Sequence, residues 1–143
     1  MYTDIQHEIS SIKAFKNAEV FRVNGSKTLI VEATGTYIPI EEFKQIFSYI
    51  GEVTQKEKIE KLIFDKRNLT VFHQPSMEWY FVHWKEDMAK HGLNTHRKLL
   101  PDDQVFVQSV NIGREQIANK YPQGKFNQMD IQYMNTIDDA IEK

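Results

Sequence analysis

The chain contains no cysteine. Disulfides, thiol nucleophiles and thiolate metal sites are thereby excluded, and such a composition suits a reducing, cytoplasmic setting. No apolar run approaches the roughly 18 residues that a membrane-spanning helix needs. The opening MYTDIQHE lacks a basic stretch followed by an apolar one, so no secretory signal is expected. Charge of one sign is also missing: 18 Lys and Arg stand against 20 Asp and Glu, a formal net charge of -2. A nucleic-acid-binding face would need a basic excess, so nucleic acid is not an expected partner.

Catalytic signatures are absent as well. There is no Gly-x-Ser-x-Gly elbow, no phosphate-binding P-loop and no glycine-rich dinucleotide fingerprint. A single glycine, Gly113, enters a helical segment, which is too little to cradle phosphate. The five histidines are His7, His73, His83, His91 and His96. His83 and His91 would lie about 12 Å apart along a helix, too far to share an ion, and no His-Glu-x-x-His spacing occurs. The expectation is no metal, no cofactor and no enzyme.

What is present is ordinary globular composition, 41% hydrophobic and 27% charged over 143 residues. That length suits one domain burying about two-thirds of its unfolded surface. Ala18 to Val23 (AEVFRV) ends at the turn signal Asn24-Gly25 and is followed by the β-branched run Thr28 to Thr36, which together predict a hairpin. Val20 and Val23 can face opposite sides, and the register is open. Ile40, Phe43, Phe47 and Ile50 fall on one 3.6-period stripe, and Gly51 interrupts it. The charged run Glu52 to Lys61 then reads as a helix remnant and connector on the surface.

The most informative stretch is KLIFDKRNLTVFHQPSMEWYFVHWKEDMAKH, Lys61 to His91. The apolar triplet Leu62-Ile63-Phe64 predicts a central buried strand that stops at Asp65. A polar loop follows, then a helix from Ser76 to His91 carrying Met77, Phe81, Trp84 and Met88 on one stripe. Leu93 to Asp103 reads as a connection, with His96-Arg97-Lys98 as a solvated turn. Val105 to Val110 (VFVQSV) predicts a strand, Gly113 opens a short helix, Met129 to Met134 predicts a half-exposed strand, and Thr136 caps a last helix. The expected fold is α/β: a single domain with a mixed sheet of four to five strands flanked by helices, in the order β-β-α-β-α-β-α-β-α.

Ligands of open α/β sheets bind outside the carboxyl ends of the strands. Asp65, Arg67, Asn68 and Thr70 are therefore candidates for binding a ligand or partner, although turn residues of these types commonly bond their own backbone. Ser76 reads as a helix cap and, alternatively, as a phosphoacceptor. Phe72, Trp79 and Tyr80 exceed what one amphipathic stripe requires, so they are expected to meet a pocket, a partner or a second copy of the chain. A Ser/His/Asp grouping of Ser76, His73 and Asp65 can be assembled only by selection among many polar residues.

The segments EATGTYIPIEEFKQIF, KLIFDKRNLT and the terminal TIDDAIEK resemble the SpoIIAA-like family of STAS/SEC14-like domains, over about Val20 to Ile141. That resemblance implies a four- or five-stranded sheet with helices, used for regulatory protein contacts or for holding small or lipid-like ligands. STAS-type anti-sigma-factor antagonists carry an Asp-Ser pair after the central strand, with the Ser phosphorylated. Here Lys66-Arg67 follow Asp65, and the first helix-capping Ser is Ser76. Two functions are expected from this: a non-enzymatic regulatory or protein-interaction module that self-associates as a homodimer, or a carrier or sensor of a small apolar ligand or lipid. A closed cavity of several hundred cubic ångströms around Trp79 to Trp84 favours the second, and a flat apolar patch favours the first.

Overall fold

A computed structural model describes Tyr2 and residues 5–143; Met1, Thr3 and Asp4, part of the segment read for a leader, lie outside the described residues. The architecture is α/β, a six-stranded mixed sheet flanked by helices. The strands are β1 (Ile9–Ala14), β2 (Ala18–Val23), β3 (Thr28–Ala33), β4 (Lys61–Asp65), β5 (Thr95–Leu99) and β6 (Asp130–Tyr133). They pair in sequence order, antiparallel from β1 to β3 and parallel from β3 to β6.

Period-two alternation divides the core between the two faces of the sheet. Val20, Leu29, Val31, Leu62 and Phe64 face a large core roofed by helices. Phe21, Val23, Ile30, Ile63 and Leu99 face a smaller one, closed by α5 (Ile137–Glu142). Val20 and Val23 thus do lie on opposite faces. Leu62, Ile63 and Phe64 are at most 2% exposed, as a strand covered on both faces should be.

Helix α1 (Ile40–Glu57) runs on through Gly51, taking in most of the charged run read as a connector. A Cβ at Gly51 would come 3.3 Å from Met88 Cε and 3.5 Å from Trp84 Nε1. A side chain at position 51 would thus press on the flexible end of Met88, and Trp84 Nε1 donates to the Phe47 carbonyl at 2.6 Å. That next segment is one helical path of three parts: α2 (Gln74–Trp79), a π-helical stretch Tyr80–Lys85, and α3 (Glu86–Ala89).

Three expectations are corrected. VFVQSV is not a strand but the start of α4 (Gln104–Lys120), in which Gly113 is internal rather than opening. Its buried residues Phe106, Val110, Gly113 and Ile117 fall on one helical face, and Asp103 accepts from the Phe106 amide at 3.2 Å. The β-branched residues masked that spacing; Val105 itself is 73% exposed. The strand read there is instead β5, which passes through His96-Arg97-Lys98, and all three are buried. The sixth strand, β1, is mostly exposed and carries a register shift between Ser11 and Lys13, so it gave no alternation to read.

Candidate functional site

Between the strand ends and the helical roof lies a narrow cleft of about 50 Å³, partly open to solvent. It sits outside the carboxyl ends of β3 and β4. Tyr37 and Ile38 come from the segment after β3, and Phe64 and Lys66 from the end of β4 and the residue just beyond. The loop after β4 supplies Leu69, Val71, Phe72 and His73. Ser76, Met77 and Tyr80 from the helical roof, Phe43 from α1 and Phe106 from α4 complete the wall. Most of this lining is apolar. Among the described residues Lys66 is its one Lys or Arg side chain, and no carboxylate lines it.

Lys66 opens onto a group of cations that sequence reading missed. His96 and Lys98 alternate onto the large-core face of β5, in register with Leu62 and Phe64. Lys85, the last residue of the π-helical stretch, meets Lys98 there. Lys85 Nζ stands 4.0 Å from the centroid of the Phe81 ring and 4.8 Å from that of Tyr80. Lys98 Nζ stands at 4.3 and 5.1 Å from the same two rings. The Arg114 guanidinium lies 5.7 Å from Phe81.

Among the described residues, none of these groups has a carboxylate against it. Lys85 Nζ, Lys98 Nζ, the Tyr80 hydroxyl and both ring nitrogens of His96 are buried without a hydrogen-bond partner among the described residues. Burial, and then the charges of Lys66 and Arg114, hold the Lys85 amine well below its ordinary range. Burial, then Lys85, Lys66 and Arg114, do the same to Lys98. Lys66 is lowered to about 8 by burial and by Arg114. His96 is pushed down by burial and by Lys85 and Lys98, so its imidazole is neutral. Desolvation without a counter-charge disfavours the charged form in every case.

The predicted site residues separate around this cleft. Phe72 and Tyr80 line it. Tyr80 is 1% exposed, so its ring is core as well as cleft wall, and the expectation that it is in excess of the core is corrected. Trp79 is half-buried against Phe43, on the flank of the helix facing a separate shallow groove. Asp65 lies on the opposite face of the sheet. It accepts from Arg67 Nε and Nη2, both at 2.9 Å, and from the Tyr2 hydroxyl at 2.6 Å. The Tyr2 phenol is pushed up by burial and by the Asp65 charge. Asp65 and Arg67 thus close on each other, outside the cleft. Asn68 donates to the Ala33 carbonyl at 3.0 Å and Thr70 to that of Thr36 at 3.4 Å, both tying the loop to the end of β3.

Ser76 is buried and lines the cleft, but it is not the cap of its helix. His73 is: its Nδ1 accepts from the Ser76 amide at 3.3 Å and lies 2.8 Å from Ser76 Oγ. A serine beside an imidazole is also the start of a nucleophile–base pair. Here the same ring nitrogen serves the helix start, and among the described residues no carboxylate orients the ring. Asp65, on the far face, cannot supply one, so the Ser76, His73 and Asp65 grouping is not assembled.

Among the described residues no three His, Asp or Glu side chains converge on a common point, and no helix is long and apolar enough to cross a membrane. Comparison with protein-family models, with curated proteins and with solved structures finds no match.

Proposed function

We propose that this chain is a small-molecule binding module. Its cleft takes a slender apolar molecule with an acidic head group, the body between Phe43, Phe72 and Phe106 and the head against Lys66. The observation that carries this reading is a mostly apolar cleft whose one Lys or Arg side chain backs onto further cations and, among the described residues, faces no carboxylate. An anion at that point would supply the counter-charge the cluster lacks. This is the carrier or sensor branch of the STAS/SEC14-like resemblance, and it ranks above the protein-interaction branch because the cleft is recessed rather than flat.

The test is thermal unfolding with linear carboxylates of increasing chain length, alongside mass spectrometry of small acids released from the purified protein. A midpoint raised by some chain lengths, and not raised in Lys66→Met, supports the reading. No shift at any length, with no acid released, overturns it. Self-association is the second reading. It is favoured by Val105 and Ile112, 73% and 56% exposed and two turns apart on α4. Sedimentation of Val105→Glu/Ile112→Glu against the unaltered chain tests it.

A further inference from the structure

We propose that Lys66 captures an apolar aldehyde or ketone as a Schiff base inside the cleft. This rests on the binding reading above and adds the reactive group that the bound molecule would carry.

The geometry supplies an amine of the right kind in the right place. Lys66 is 7% exposed, and its Nζ lies 4.9 Å from the centroid of the Phe64 ring, which shares the cleft wall. The charges bearing on it and its neighbours, those of Arg114, Lys85 and Lys98, are all positive. An ammonium held there has little water and no counter-ion, so the free amine is favoured far more than on the surface. A lysine desolvated beside other cations is the usual way an amine is made nucleophilic near neutral pH. The lowering of Lys66 to about 8 agrees with that surrounding.

A second residue of the cleft wall, Tyr80, carries a donor. Its hydroxyl is buried, has no partner among the described residues and is kept as the neutral phenol by burial. It belongs to the π-helical stretch that also carries Lys85, and π-helical turns gather at functional sites. An unpaired phenol on the wall of an apolar cleft can donate to a carbonyl oxygen that comes within its reach.

The reaction balances without a co-reactant. The Nζ lone pair adds to the carbonyl carbon, giving a carbinolamine. The oxygen leaves as water, taking the two amine protons, and a carbon–nitrogen double bond forms. Nothing is oxidised or reduced, and Tyr80 is regenerated after donating to the departing oxygen.

The experiment uses the full chain with hexanal as probe and cyanoborohydride to fix any imine, followed by peptide mapping. Lys58 and Lys120 serve as exposed internal controls. The expected result is trapping at Lys66 about tenfold or more faster than at either control, given the larger share of free amine at an ordinary buffer pH. Tyr80→Phe should slow trapping at Lys66 and leave the controls unchanged. Hexanoate added as competitor should protect Lys66 alone. Lys66 modified no faster than the controls overturns the inference, even where hexanoate raises the unfolding midpoint and the binding reading stands. Preferential trapping without any effect of hexanoate keeps carbonyl capture and removes the acidic head group from the binding reading.

Discussion

Lys85 and Lys98, on a helix and a strand, bring their side-chain nitrogens to within 4.0 and 4.3 Å of one ring centroid, that of Phe81. When protonated, each is drawn to the ring face, which offsets part of the loss of water. It does not replace a carboxylate. Two amines against one ring repel each other, and Lys66 and Arg114 add to the repulsion. The arrangement opposes folding, and the binding proposed above would give it a use.

Removing one amine should therefore help the fold. Lys98→Met keeps the length of the side chain and leaves no charge to desolvate. It is expected to raise the unfolding free energy by about 1–4 kcal/mol, measured by urea titration at pH 7. The same variant should bind linear carboxylates more weakly. Destabilisation by Lys98→Met would mean that the amine has a stabilising partner, contrary to the cluster described above.

Stability should also rise with pH across the alkaline range. Unfolded, these lysines keep their protons to about pH 10.4. Folded, Lys66 gives its proton up at about 8, and Lys85 and Lys98 sit well below their ordinary range. Between those limits the unfolded chain binds more protons, so each such amine adds about 1.4 kcal/mol per pH unit. Tyr2 and Tyr80, raised by burial, act in the opposite sense above about pH 10. The urea midpoint should climb from pH 7 to about 9.5; a flat or falling midpoint would show that the lysines are neutralised otherwise.

The start of α2 depends on His73 rather than Ser76. His73→Ala removes the acceptor of the Ser76 amide and should cost about 1 kcal/mol, as loss of other side-chain caps does. Ser76→Ala leaves that bond in place and should cost less. Guanidinium unfolding of the two variants decides the order, and the reverse order would return the cap to Ser76.

Legibility followed chemistry. Leu62-Ile63-Phe64 could be read because every position is apolar, and the Phe47 stripe because its spacing is regular. The cleft lies outside the carboxyl ends of β3 and β4, the place to which the sheet type points. Lys66 was passed over because the loop offered Asp65 and Arg67, a more conspicuous pair that satisfies itself. Lys98 and Lys85 were invisible for a stronger reason. Hydrophobic periodicity finds a buried strand by its apolar residues, and β5 places His96 and Lys98 at the positions where those residues should be. A cationic pair in a core reverses the signal, so THRKL read as solvent-facing. Val105 to Val110 misled in the other direction, because β-branched residues tolerate a helix whose buried face is carried by Phe106, Val110 and Ile117.

The order of the strands in the sheet is the order of the strands in the chain. Each new strand can dock beside the one made just before it, so no strand waits for a partner encoded much later. Pairings close in sequence shorten the loops that must be closed and speed assembly. A chain emerging from the ribosome can therefore build its sheet from one edge, with β1 to β3 forming a template before β4 is synthesised. The costly step then falls late: Lys98 enters the interior only when β5 adds to β4, onto a surface where Lys85 is already waiting.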